Sequence, residues 1–354
     1  MQGVVLRPGR SFQIANVRPS SRGAPADEPV AVVIPCYKVT GQILDVLRGI
    51  GDEADLIYVV DDKCPEGSGA LVQRESRDPR VRVLFHDVNQ GVGGATITGI
   101  RQALADGAKI IVKIDGDGQM DASLLPVFVE ALRSGEADYA KGNRFFDPDG
   151  LTAMPTVRLL GNAALSFLAK LSTGYWHSFD PTNGYIAIHA DVARLLPLHK
   201  VSKRYFFETD LLFRLNTHQA RVVDVPMPAQ YGDEASNLRV GRVILPFLAG
   251  HLRNFGKRIL YNYFLRDFNI ASLEFVAGLM LLAFGLSFGI AHWSSNVGAT
   301  AGTVMLAALP IILGVQFLLA FIAYDVQSAP SSALHVRLAG HDRADRRYKG
   351  TGRR

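Results

Sequence analysis

Two apolar runs near the C-terminus limit what this chain can become. Phe275–Trp293 is 19 residues without a charge, and Thr303–Tyr324 is 22 residues interrupted only by Pro310 and Gln316. Each is long enough to cross bilayer hydrocarbon, which takes ~20 helical residues. The competing arrangement is a helical hairpin buried in a soluble core. The connecting stretch 294–302 has no Lys or Arg, whereas both outer flanks are basic. The positive-inside rule then predicts a multi-pass inner-membrane protein with both termini and its main domain in the cytoplasm.

The chain has 354 residues, which leaves room for one large domain beside the spans. Its net charge of +5 is unevenly placed, because Arg337, Arg343, Arg346, Arg347, Lys349, Arg353 and Arg354 crowd the end. A basic tail that follows membrane segments fits an anionic lipid surface, and no nucleic-acid partner is expected. Cys36 and Cys64 have neither CxxC nor zinc-ligand spacing, so free thiols in a reducing compartment are expected. Residues 1–28 hold several Arg, Pro and Gly and no apolar core, which predicts disorder rather than a signal peptide.

From Val30 onward, short apolar runs alternate with helical spacing. Strands are predicted at Val30–Pro35, Asp55–Val60, Val81–Phe85 and 109–114, with helices at Gly41–Gly49, Gly69–Ser76, 95–106 and Leu124–Leu132. This alternation implies an α/β domain with a mostly parallel sheet and helices on both faces. Chemistry in such sheets gathers beyond the carboxyl ends of the strands. Residues 242–269 mix apolar side chains with Arg253, Lys257, Arg258 and Arg266, the pattern of a basic amphipathic helix in the membrane interface. The expected division is a disordered segment at 1–28, a cytoplasmic catalytic domain at 29–240 and an amphipathic interface region at 241–270. Two transmembrane helices at 271–326 and a basic cytoplasmic tail at 327–354 complete it. Glycines between Gly278 and Gly289 permit helix association, so a homo-oligomer is possible.

The motif with most chemistry is Asp115-Gly-Asp117-Gly-Gln119, directly after the apolar Ile110–Ile114. Two carboxylates one residue apart at a strand end can reach one divalent ion, and Gln119 adds a neutral oxygen. Such hard ligands suit Mg²⁺ or Mn²⁺ on a nucleotide diphosphate. Asp121 reads as a helix N-cap. Asp61-Asp62 closes the second predicted strand and can accept hydrogen bonds from a base or ribose. Asn89-Gln-Gly91-Val-Gly-Gly94 opens a helix, where glycine allows close backbone approach and the helix terminus favours anions. Arg144 can fork to a phosphate or form a surface ion pair. Glu208 and Asp210 offer a general base or a helix cap. The polar stretch Tyr231–Arg239 reads as a mobile lid near the donor or as a plain linker.

In this order the motifs resemble family 2 inverting glycosyltransferases, specifically the polyprenyl-phosphate glycosyltransferases related to dolichyl-phosphate mannose synthase. The resemblance covers about Val30 to Arg239. It is carried by Val32-Val-Ile-Pro-Cys-Tyr37, Asp61-Asp62, Asn89-x-Gly91 with Gly93-Gly94, Asp115-x-Asp117-x-Gln119, Gly142-Asn-Arg144, Asp180-Pro-Thr-Asn-Gly184 and Ser236. It implies a GT-A type fold, a nucleotide-sugar donor and a divalent metal. Asp115, Asp117 and Gln119 would hold the metal, with Asp117 counted among the catalytic residues. Asp62, with Asp61, Gly91, Gly94 and Asp115, would meet the nucleotide. Pro35 and Tyr37 would line the base pocket. Arg144 and Arg239 would meet the lipid phosphate beside Ser236 in the lid. The chain departs from the family at Lys38-Val39, where Asn-Glu is usual, and at Ser236-Asn237, where Ser-Lys is usual.

The function expected is transfer of a sugar, from a uridine diphosphate donor for preference, to a polyprenyl phosphate. A hydroxyl acceptor would instead require a true base, Glu208 or Asp210. A non-catalytic sugar-nucleotide-binding scaffold is the remaining alternative.

Overall fold

The computed structural model describes residues 28–146, 156–228, 240–293 and 299–340. The segment 1–28 except for Glu28, the lid with Ser236 and Arg239, and the tail beyond 340 lie outside the described residues.

The elements run β1 (Val30–Cys36), α1 (Ile43–Gly49), β2 (Leu56–Asp61), α2 (Ser68–Glu75), β3 (Val81–Phe85), α3 (Val92–Ala105), β4 (Ile110–Lys113), α4 (Leu125–Arg133) and β5 (Tyr139–Asn143). They continue with α5 (Thr156–Thr173), β6 (Ile186–His189), α6 (Ala190–Leu195), α7 (Phe207–Thr217) and β7 (Val222–Pro226). Next come α8 (Val240–Leu260), a π-helical turn at Tyr261–Arg266, α9 (Ile270–Trp293) and α10 (Ala301–Gln327).

The seven strands pair in the order β3-β2-β1-β4-β6-β5-β7. All pairs are parallel except those of β6, which runs antiparallel between β4 and β5. Every residue of β1 is buried, as a central strand covered on both faces demands. Its side chains alternate between faces. Val30, Val32 and Ile34 pack with Ile43, Leu125 and Phe128 of α1 and α4. Ala31 and Val33 pack with Ile97, Ile100 and Phe207 of α3 and α7. The expected layers and mostly parallel sheet are therefore observed. The direction of β6 could not be read from its four residues.

The most apolar stretches of α9 and α10 have mean hydropathies of 2.0 and 2.5, and only 11% and 17% of them is buried. A hairpin inside a soluble core would be covered, so that arrangement does not fit. The two helices cover chiefly each other. A Cβ on Gly278 would lie 2.9 Å from Leu318, one on Gly285 2.7 Å from Ile311, and one on Gly314 2.9 Å from the Gly278 carbonyl oxygen. These glycines close the hairpin within one chain. They give no support to the expected homo-oligomer.

The predicted interface helix breaks after Arg266. Its end is fastened to α10 by Arg258, whose guanidinium donates to both oxygens of Asp325 at 2.6 and 3.0 Å and to the Leu171 carbonyl at 2.7 Å. Asp325 also accepts from Trp176 Nε1 and Tyr263 Oη. Beyond α10 the chain returns to the sheet. Buried Asp138 accepts from the backbone of Leu334 and His335 and binds His335 Nδ1 at 2.7 Å.

Candidate active site

β4 ends at Lys113, and the next five residues fold into a tight turn. Gly116 is buried, and a Cβ there would touch Ile43, Val39 and Ile34 at 3.2–3.4 Å. Gly118 has φ +76°, a conformation that favours glycine, and it turns the chain so that Gln119 N donates to Asp117 Oδ1 at 3.0 Å. Asp115, Asp117 and Gln119 are half-buried on one short turn. Asp121 accepts from Ser123 N and caps the helical turn before α4, as expected.

Lys113 is 1% exposed, and its Nζ lies 2.6 Å from Asp115 Oδ1 and 3.9 Å from Glu208 Oε1. The ion pair with Asp115 lacks hydrogen-bond alignment, so Nζ has no hydrogen-bond partner among the described residues. Glu208 sits in the first turn of α7. Burial is the main cause that raises its carboxyl pKa to about 7; Lys113 opposes the rise and Asp115 adds to it. Gly184, just before β6, completes the pocket wall, since a Cβ there would stand 2.5 Å from Lys113 Nζ. Register explains the meeting, because Lys113 pairs with Ile186 across β4 and β6.

Other predicted residues have more local duties. Asp61 is buried and accepts from Cys64 N and Gly69 N, both at 2.7 Å, so it fixes the entry to α2 rather than facing a nucleotide. Asp62 is also buried. It accepts from Gln90 N at 2.8 Å and Gly91 N at 2.7 Å, and His86 Nδ1 lies 2.8 Å away. It holds the glycine-rich turn in place. The closest neighbour of that turn is the chain itself: Gly94 N donates to the Lys203 carbonyl, and a Cβ on Gly91 or Gly93 would strike the Lys203 or Ser202 carbonyl at 2.6 Å. Gly91 and Gly93 thus admit the loop leading into α7, a close approach by the chain itself at the turn expected to meet the nucleotide. Pro35 is buried at the end of β1, and Tyr37 beyond it is 45% exposed, with Lys38 Nζ 5.8 Å from its ring centre.

Arg144 forks onto Asp180, with Nε to Oδ2 and Nη2 to Oδ1 both 2.8 Å. The fork expected for a phosphate is thereby filled by a carboxylate. Lys141 is buried next to this pair, 3.1 Å from Asp224 Oδ1, and burial lowers its pKa. Asp210 is 1% exposed. It accepts from Ser202 N at 2.9 Å, from Arg214 and, at 3.0 Å, from Asn254 Nδ2 of α8. It is a strut between helices with its oxygens engaged, not an accessible base. Both cysteines are free, as expected.

Lys113 and Lys141 went unnoticed in the sequence, and Gly184 was noted only as part of the Asp180-Pro-Thr-Asn-Gly184 motif. The signal for both lysines was present, because each is the lone charge in a short, wholly buried strand.

The donor set at the β4 turn fits a hard divalent ion. It contains two carboxylates and an amide oxygen, and Mg²⁺ commonly binds through one or two carboxylates plus substrate phosphates. Among the described residues no group of three or more His, Cys, Asp or Glu gathers for a metal, so waters and substrate phosphates would complete the shell.

Comparison with known proteins agrees with this geometry. Residues 31–196 match the model for Glycosyl transferase family 2. An undecaprenyl-phosphate mannosyltransferase of Micrococcus luteus is 34% identical over 203 residues, which cover 56% of this chain and 82% of that protein. A UDP-N-acetylglucosamine–dolichyl-phosphate N-acetylglucosaminyltransferase of Methanococcus voltae is 28% identical over 63% of this chain and 93% of its own length. Among solved structures, glucosyl-3-phosphoglycerate synthase from Mycobacterium tuberculosis in complex with UDP superposes with a TM-score of 0.52 at 20% identity. That match covers 66% of this chain and 82% of that one, and at this identity it shows a shared fold.

Proposed function

The chain belongs to glycosyl transferase family 2, and on that premise we propose that it moves a sugar from a nucleotide-diphosphate donor to a polyprenyl phosphate at a membrane surface. The observation that carries the proposal is the half-buried Asp115-Gly-Asp117 turn at the end of β4, on a domain fastened to two exposed apolar helices. Relatives named for undecaprenyl phosphate and dolichyl phosphate support the acceptor. The basic flanks of the hairpin support a cytoplasmic catalytic domain on the inner membrane.

Asp115, Asp117 and Gln119 would hold Mg²⁺ or Mn²⁺. The ion would neutralise charge on the departing diphosphate. Lys113 holds Asp115 in position and balances its charge. Pro35 and Tyr37 would flank the base, and Asp62 keeps the neighbouring turn in shape. Ser236 and Arg239 remain the proposed contacts for the lipid phosphate, and Arg144 would join them by exchanging Asp180 for the phosphate. A phosphate oxygen attacks the anomeric carbon from the face opposite the diphosphate, which leaves as the new bond forms. The acceptor phosphate is mostly ionised near neutral pH, its second pKa being ~6, so transfer needs no strong base. The proposed donor is a uridine diphosphate sugar, in line with the donor named for the Methanococcus relative.

One observation favours a second reading. Glu208 has a pKa near 7, as a general base would, and it lies on the same pocket wall as Asp115. A hydroxyl acceptor would use it. The deciding experiment offers radiolabelled nucleotide sugars, GDP-mannose included, to the detergent-solubilised protein with undecaprenyl phosphate. Label in the organic phase with one donor, lost on chelation, supports the lipid-phosphate reading. Nucleotide release without lipid labelling would replace it with the hydroxyl reading.

A further inference from the structure

A cavity of about 280 Å³ opens where the π-helical turn meets the ends of α7, α8 and α10. At ~30 Å³ per water it has room for about nine waters, or for a small organic group. The buried Arg258–Asp325 pair lies at its floor, and the amides of Asn216, Asn262 and Asn269 line its walls. Arg266 and Asp267 also line it and are exposed at its rim. Asn216 stands eight residues along α7 from Glu208, ~12 Å at 1.5 Å per residue, so the cavity is separate from the reaction centre.

Its position and its edges point to an amphiphile. The cavity sits at the ends of the two apolar helices, where hydrocarbon gives way to headgroups. Beside Arg266, Asp267 and Asn269, the side chains of Leu265, Phe268 and Ile270 are 70%, 62% and 60% exposed. A polar hollow with an apolar lip matches a headgroup joined to acyl chains. Two lining residues also carry buried polar atoms, Arg258 Nε and Asn262 Oδ1, with no hydrogen-bond partner among the described residues.

Charge narrows the class. The floor pair is neutral, and Asp325 is further engaged by Trp176 and Tyr263. At the rim one guanidinium and one carboxylate remain. Arg266 Nη1 donates to the Thr217 carbonyl at 2.8 Å, and its other donors have no hydrogen-bond partner among the described residues. Asp267 accepts from Asn269 Nδ2 at 2.9 Å. We propose that the cavity is a headgroup site for a zwitterionic aminophospholipid, with the phosphodiester on Arg266 and the ammonium on Asp267. The lipid would wedge the interface turn against α10 and is independent of the donor and acceptor.

The test uses native mass spectrometry of the full-length, delipidated protein with added phosphatidylethanolamine, phosphatidylglycerol, glycerophosphoethanolamine or inorganic phosphate. One phosphatidylethanolamine per chain is expected, held about tenfold more tightly than phosphatidylglycerol, and Arg266→Ala should weaken it about tenfold. Asp267→Asn should remove the preference between the two lipids while leaving the melting temperature of lipid-free protein unchanged. That variant decides the matter if Arg266→Ala fails to fold. Equal binding of both lipids by the unaltered protein would overturn the zwitterionic assignment. Saturation by glycerophosphoethanolamine or phosphate alone would make this a site for a soluble phosphate compound and not for a lipid. Displacement by undecaprenyl phosphate would assign the cavity to the acceptor instead.

Discussion

The ammonium of Lys113 lies 2.6 Å from Asp115 Oδ1 in a pocket from which Lys113 is almost wholly excluded from solvent. Its second carboxylate neighbour, Glu208, is 3.9 Å away. Lys113→Met would leave two acidic groups facing each other without a counter-charge. Removing one member of a buried ion pair costs roughly 3–5 kcal/mol, or a melting temperature about 10 °C lower for a domain of this size. Differential scanning fluorimetry in detergent measures this. A change of under two degrees would mean that Lys113 does not hold the turn.

Glu208 makes stability depend on pH. Its carboxyl is raised in the folded protein from 4.5 to about 7, chiefly by burial. The folded state therefore holds this proton more tightly than the unfolded chain does. The favourable contribution is complete below the unfolded value, declines between pH 4.5 and 7, and above 7 leaves the ionised group as a constant cost. Glu208→Gln should raise stability at pH 8 by up to about 3 kcal/mol and change little at pH 4.5. Urea unfolding at the two pH values checks it, and equal shifts at both would refute the assignment. With a phosphate acceptor the same variant keeps transferring at pH 8, whereas a hydroxyl acceptor would lose it.

Asp117 and Asp210 should separate cleanly. Asp117→Ala is expected to abolish transfer and to leave the fold intact, because the side chain sits on a half-buried turn. Asp210→Asn weakens the strut to Arg214 and Ser202 and should lower stability by about 1–3 kcal/mol while measurable transfer survives. Complete inactivity of well-folded Asp210→Asn would restore it as a base.

The membrane hairpin depends on close backbone approach. A Cβ on Gly285 would already stand 2.8 Å from the Ala307 carbonyl oxygen. Gly285→Leu should force α9 and α10 apart at a cost of about 1–3 kcal/mol. A cysteine pair placed across the two helices would then lose its crosslinking yield. An unchanged yield would show that the helices do not meet at this glycine.

Much of this was legible because it is local. The Asp115-Gly-Asp117 turn, the Asp121 cap and the strand–helix alternation all reside in short windows, where spacing states geometry directly. What escaped depends on distant partners. Nothing near Arg144 announces that Asp180 will occupy its fork. Gly91 and Gly94 signal close approach but not what approaches, and the answer, the loop at 202–207, lies more than a hundred residues on. The partners of Lys113 were not legible because Gly184 comes to it with the reversed β6 and Glu208 with α7, both far along the chain. Pattern records which face a strand buries, not the direction in which it runs.

The Arg258–Asp325 pair joins two helices that belong to different worlds, one resting on the domain and one rooted in lipid. The joint is buried and held at several points, so the domain cannot tilt or lift without breaking it. The candidate site therefore stands at a set distance from the ends of the two apolar helices. On the proposed function, a substrate tethered in the membrane would have to present its head at the matching height, which would make this joint a gauge of how deep the acceptor phosphate rides.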